Sequence, residues 1–129
     1  MNPSRPVLPR ILVVENESDL FKTIELSLGE NFVIIWKNSG ESALNAIEEE
    51  DFDILLTDFN LGGDFDGCDI VMFAYATNPA IPIIIMSGGD PDKGRIDAAR
   101  HFTGASFIRK PFTKDQILDE INSKLTKYP

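Results

Sequence analysis

Five short apolar runs alternating with five amphipathic segments predict an α/β protein, a doubly wound parallel sheet of five strands with helices on both faces. Two further observations support that class. Ile54, Leu55 and Leu56 stand side by side without apolar/polar alternation, as in a strand covered on both faces. The runs also end abruptly in polar side chains: Asp58 closes the third, Ser87 follows the fourth, Glu15-Asn16-Glu17 follow the first and Lys110 follows the fifth. Ligands of open α/β sheets bind beyond the carboxyl ends of the strands. The simplest geometry therefore gathers carboxylate, hydroxyl and ammonium in one pocket.

Residues 1–9, with Pro3, Pro6 and Pro9, read as a flexible leader without the apolar stretch of a secretory signal, and the domain is expected over residues 10–126. The first strand is expected at about Ile11–Val14. Leu20, Ile24 and Leu28, with Phe21 alongside, predict a helix over Ser18–Leu28, with Gly29 at its C-cap. Phe32–Trp36 is the second strand. Ser39-Gly40-Glu41 leads into a helix with a buried stripe of Ala43, Leu44 and Ile47. The third strand ends at Asp58, and its Gly- and Asp-rich exit, Asn60–Gly67, is expected to be a mobile surface loop. A third helix over Cys68–Thr77 stops at Asn78-Pro79, since a residue preceding proline is pushed out of the α region. Pro82 opens the fourth strand. Asp90-Pro91 reads as N-cap and first position of a helix running through Ile96 and Ala99 to just before Gly104. Beyond the fifth strand, Ala105–Arg109, Thr113-Lys114-Asp115-Gln116 spells a capping box, with Phe112 and Ile117 placed for a hydrophobic staple. Ile117, Ile121 and Leu125 line the last helix. Trp36, Met72 and Tyr75 read as packing, and no effector domain is expected.

Composition narrows the function. The 129 residues suffice for one domain, and 43% hydrophobic with 26% charged residues is the balance of a globular protein. No apolar run is long enough to span a membrane, so a cytoplasmic location is the default expectation. A formal net charge of −9 argues against direct nucleic-acid binding and favours a metal cation or a protein partner. Cys68, the only cysteine, excludes an internal disulfide and a Cys-based metal site, and reads as a small half-buried helix residue rather than a reactive thiol. His101 reads as a surface residue.

Taken together, the acidic cluster after strand one, the aspartate ending strand three, Ser87-Gly88 after strand four and Phe107-Ile108-Arg109-Lys110-Pro111-Phe112 resemble the receiver domain of two-component response regulators, from about Ile11 to Leu125. The resemblance implies a flavodoxin-like fold of strand order 2-1-3-4-5 with Asp58 as phosphoacceptor. It implies Mg²⁺ held by Glu15, Asn16, Asp58 and the backbone carbonyl of Asn60, an oxygen set that this ion accepts. Lys110 would neutralise the phosphoryl oxygens, Ser87 would donate a hydrogen bond to them, and Gly88 would leave room for the donor. Ser87 and Phe107 would form the switch, and the Lys110-Pro111 bond would be cis. Donors would be a histidine kinase or a histidine phosphotransfer protein, and output would pass to a downstream protein. Apart from self-phosphorylation and autodephosphorylation, no enzymatic activity is expected.

Two departures bear on the chemistry. Receivers usually carry two adjacent acids after the first strand, whereas here Glu15 is followed by Asn16, whose amide brings no charge. Weaker Mg²⁺ affinity is expected, and Asn16→Asp should tighten it. The family often has proline two residues after Asn60, where this chain has Gly62-Gly63. The alternative function is therefore a phosphorylation-independent interaction module, or pseudo-receiver. A haloacid-dehalogenase-type phosphatase is disfavoured because its nucleophile follows the first strand. A flavodoxin needs a phosphate-cradling loop where Glu15-Asn16-Glu17 would repel phosphate.

Overall fold

A computed structural model of the chain describes residues 7–89 and 91–126. The elements alternate as β1 (Arg10–Val14), α1 (Ser18–Leu28), β2 (Val33–Lys37), α2 (Gly40–Glu49), β3 (Ile54–Asp58), α3 (Gly67–Thr77), β4 (Ile83–Ser87), α4 (Lys93–Thr103), β5 (Ser106–Arg109) and α5 (Lys114–Thr126). All neighbouring strands pair in parallel, in the order β2-β1-β3-β4-β5. The fold is thus the flavodoxin-like arrangement expected.

Because strand side chains alternate between faces, the apolar runs feed two separate cores. Leu12, Val14, Leu55, Ile83 and Ile85 meet Ala43 and Ile47 of α2, Ile70, Val71 and Ala74 of α3, and Ile96 and Ala99 of α4. Ile11, Val13, Ile54, Leu56, Ile84 and Met86 face Phe21, Ile24 and Leu28 of α1 with Ile117 and Ile121 of α5. β3 and β4 are buried along their whole length. Large-to-small changes in these central strands, such as Leu56→Ala, fall in the class costing about 2–5 kcal/mol.

Several boundaries differ from the sequence reading. Phe32 is buried but lies just before β2, and Lys37 extends that strand. In α2 the fully buried stripe includes Ala46, with Leu44 only half-buried. α4 begins at Lys93 with Asp92 as N-cap, its side chain accepting from the Arg95 N–H. Asp92 therefore displaces Asp90-Pro91 as the cap; Asp90 lies outside the described residues, as do residues 1–6 of the leader and 127–129. Gly104 ends α4 at φ 74°, a left-handed conformation that glycine adopts freely. The expected capping box of α5 is present, with Gln116 N–H to Thr113 Oγ1 at 3.1 Å and Thr113 N–H to Gln116 Oε1 at 2.8 Å.

The exit from β3 is more firmly anchored than its glycines suggest. Leu61 is buried in the core shared with α2, α3 and α4, and Asp66 caps α3 reciprocally with Asp69. Met72, read as packing, is instead one of the exposed large hydrophobic side chains.

Candidate functional site

Four strands deliver their ends to one edge of the sheet. Asp58 is the last residue of β3 and Ser87 the last of β4; both are buried, and Glu15, just beyond β1, is 0% exposed. Lys110 follows β5, and its bond to Pro111 is cis, as expected. Its Nζ donates to Glu15 Oε1 at 3.0 Å and lies 3.0 Å from Asp58 Oδ1. One ammonium therefore bridges two carboxylates that the sheet has taken out of water.

That setting perturbs both partners. Burial first, and then the Glu15 charge, push the Asp58 carboxyl up to about 6, although Lys110 and the Asn60 backbone N–H favour its anion. Burial opposes the Lys110 charge, but the hydrogen bond to Glu15 and the Asp58 anion outweigh it and hold the ammonium above its ordinary pKa. The cluster is short of positive charge.

Glu15 is fixed from several sides. Its N–H donates to Lys37 O at 3.0 Å, its Oε2 accepts the Glu17 N–H at 3.1 Å, and its carbonyl accepts the Trp36 indole N–H at 2.8 Å. Trp36 is stacked on Phe21 with ring centroids 4.2 Å apart. Reading Trp36 as packing is correct but incomplete. The available signal was chemical, because a half-buried indole N–H normally finds an acceptor.

Two glycines make the pocket sterically possible. A Cβ on Gly67 would collide with the Asp58 carbonyl oxygen and meet Phe59 Cα at 2.8 Å, so the first residue of α3 can pass directly over the end of β3. A Cβ on Gly88 would meet Lys110 Cβ at 3.3 Å, beside the Lys110 N–H to Ser87 O bond of 2.8 Å. The missing Gly88 side chain thus makes room for the lysine stem.

The remaining candidates surround this centre at different distances from it. The Ser87 hydroxyl donates to Gly88 O at 3.3 Å. Asn60 is exposed and presents its backbone N–H to Asp58. Asn16 is exposed, and a methyl placed on Gly62 would meet its amide nitrogen at 3.5 Å. Phe107 is half-buried and packs against the core shared by α2, α3 and α4. Cys68 is buried and its thiol is pushed up to about 11, chiefly by burial, while His101 is exposed.

Among the described residues, no three His, Cys, Asp or Glu side chains converge as a metal site. A cation here would therefore meet two carboxylates, Glu15 and Asp58, supplemented by neutral oxygens of the Asn16 amide and the Asn60 carbonyl. Such an all-oxygen set fits Mg²⁺, which takes one or two carboxylates and retains waters. The raised Asp58 pKa beside Glu15 is the electrostatic counterpart of that fit.

Residues 11–122 match the family described as response regulator receiver domain. The cell cycle response regulator CtrA of Brucella ovis is 32% identical over 117 residues, covering 88% of this chain and 49% of that protein. The CtrA of Brucella abortus gives the same figures, so the chain spans about half the length of these curated relatives. Among solved structures, a CheY-like receiver domain protein from Methanospirillum hungatei JF-1 superposes with a TM-score of 0.85 at 24% identity, covering 95% of this chain and 97% of the other. A receiver protein from Sinorhizobium medicae WSM419 gives 0.82 at 22% identity, with 95% and 98% covered.

Proposed function

Because the chain belongs to the response regulator receiver domain family, we propose that it is a phosphoacceptor domain that takes a phosphoryl group on Asp58 from a histidine kinase or histidine phosphotransfer protein. The observation that carries this reading is Lys110 Nζ at 3.0 Å from both Asp58 Oδ1 and Glu15 Oε1. In the step, an Asp58 oxygen forms a bond to phosphorus while the donor's P–N bond breaks, and the donor nitrogen keeps the electron pair. Lys110 is already placed to share its protons with the incoming phosphoryl oxygens. The Ser87 hydroxyl, held among the described residues only by a 3.3 Å contact to its neighbour's carbonyl, turns toward the phosphoryl group at little cost. Phe107 then repacks beside it, changing the surface of α4, β5 and α5 that a downstream protein reads. Mg²⁺, held by Glu15, Asn16, Asp58 and the Asn60 carbonyl, would supply the additional neutralising charge the cluster lacks.

The domain is proposed to act in the cytoplasm through protein partners, without direct nucleic-acid contact and without catalytic turnover beyond self-phosphorylation and autodephosphorylation. No described helix is long and apolar enough to cross a membrane. A second reading, the phosphorylation-independent module, draws on the exposed amide of Asn16 where the family usually carries an acid.

Incubation with acetyl phosphate and Mg²⁺, followed by intact-mass spectrometry, separates the two. One added phosphoryl group, dependent on Mg²⁺ and absent from Asp58→Asn, supports the phosphoacceptor. If neither acetyl phosphate nor a phosphorylated phosphotransfer protein leaves an adduct, the interaction module replaces it.

A further inference from the structure

The Glu15 carbonyl belongs to the peptide unit whose nitrogen is Asn16. That unit is planar, so fixing its oxygen also fixes the direction in which the chain leaves toward Asn16. The fixing group is the Trp36 indole N–H at 2.8 Å. The same indole stacks on Phe21 with an interplanar angle of 4°, and Phe21 is buried in the core face shared with α1 and α5, so the hydrogen bond and the stack can be removed separately. β2, a strand that contributes no side chain to the pocket, thus reaches across to its acidic wall.

We propose that Trp36 is a positioning residue: by locking the Glu15-Asn16 peptide, it fixes the backbone from which the uncharged Asn16 amide reaches the cation. The inference rests on the phosphoacceptor reading and extends it. A charged ligand would be drawn into position by the ion; an amide attracts it far less and gains more from being held beforehand. The Trp36 hydrogen bond provides that restraint outside the pocket.

The test measures Mg²⁺ affinity by calorimetry for the wild type, for Trp36→Phe, which keeps an aromatic ring but has no N–H, and for Phe21→Leu, which removes the stack but keeps the N–H. Backbone NMR of Asn16 and Gly62 is followed in parallel. Trp36→Phe should raise the Mg²⁺ Kd about five-fold, the equivalent of one ordinary hydrogen bond. It should also broaden the Asn16 amide signal, and its phosphorylation by acetyl phosphate should recover at saturating Mg²⁺. Phe21→Leu should bind within about two-fold of wild type. Wild-type affinity in Trp36→Phe, or equal losses in both variants, overturns the proposal, the latter because packing alone would then account for the effect. Should Trp36→Phe fail to fold, a chain with benzothienylalanine in place of Trp36 keeps the ring shape and loses only the N–H. A wild-type protein that neither binds Mg²⁺ nor gains a phosphoryl group brings down the phosphoacceptor reading and this proposal together; normal wild-type binding with an unaffected variant brings down only the role of Trp36.

Discussion

Glu15 and Asp58 share Lys110 inside the pocket, while on the surface Asp66 and Asp69 share Arg95 through contacts of 2.8–3.2 Å. Both clusters set two carboxylates on one cation, yet their electrostatics run in opposite directions. In the pocket, burial and mutual repulsion lift Asp58 to about 6. On the surface, burial also works against the Asp66 anion, but the Arg95 fork and the Asp69 backbone N–H prevail and hold Asp66 below its ordinary pKa. Solvent makes the difference, because the side chain of Arg95 is 47% exposed and that of Glu15 is 0% exposed. The surface cluster has its excess negative charge screened by solvent and acts as a stitch between the start of α3 and α4. The buried one, shielded from solvent, retains an unmet demand for positive charge, which on the proposed function a metal cation would meet.

The sharpest way to break this contrast is to remove each cation. Lys110→Ala leaves two buried carboxylates together and should cost about 3 kcal/mol at neutral pH, the low end for a broken buried pair because Asp58 takes up a proton instead. Urea unfolding would register the loss, and acidification should recover part of it.

The pH dependence of the intact protein should then carry the signature of Asp58. Its native pKa of about 6 exceeds the unfolded value of 3.8, so between those values the native state binds more protons. Asp58 therefore contributes stability at low pH that is lost as pH rises from about 4 through about 6. Asp66, with a lowered native pKa, behaves in the reverse sense: its contribution is present above 3.8 and lost below it. Urea midpoints between pH 3 and 8 for wild type and Asp58→Asn should show the first slope vanish in the variant; a persistent slope would place its origin elsewhere.

Gly67 joins the two clusters, standing between the Asp66 cap and the Asp58 carbonyl. Gly67→Ala should cost about 1–3 kcal/mol, as overpacking against main chain does, and should slow phosphorylation by displacing Asp58. Thermal melts with acetyl phosphate kinetics would check both effects. The smallest effects belong to the surface: about 1 kcal/mol for Asp66→Ala through the lost cap, and less for Arg95→Ala, diminishing further in high salt. A large, salt-insensitive cost for Arg95→Ala would show that the stitch is more than an exposed ion pair.

What could be read from the chain follows the range of the forces involved. Ile54-Leu55-Leu56 and Ile83-Ile84-Ile85-Met86 announced buried strands because burial on both faces leaves a local mark. Thr113 and Gln116 announced a helix start for the same reason. The α4 start is ambiguous in the sequence because Asp90 and Asp92 are both cap-type residues two apart, and the Asp66–Asp69 reciprocal cap departs from the usual pattern because its N3 residue is Asp. Asp58, Ser87 and Lys110 could be gathered once strand ends were assumed to converge. The Trp36 bond to Glu15, the Gly67 contact over Asp58 and the burial of Leu61 depend on which segments become neighbours across the sheet, and no local pattern encodes that. The apolar character of Met72 suggests packing, yet single exposed apolar residues are ordinary.

The ion pair between Lys110 and Glu15 joins residues 95 apart in the chain. Between their strands, β1 and β5, lie β3 and β4. The proposed phosphoacceptor therefore precedes its cation: a nascent or truncated chain ending before β5 carries Asp58 and Glu15 but no ammonium to bridge them. Closing so long a segment adds only modestly to the entropic cost, which grows with the logarithm of length. Its effect is temporal. On the phosphoacceptor reading, competence to receive a signal arrives with β5, and only the assembled sheet can answer a donor.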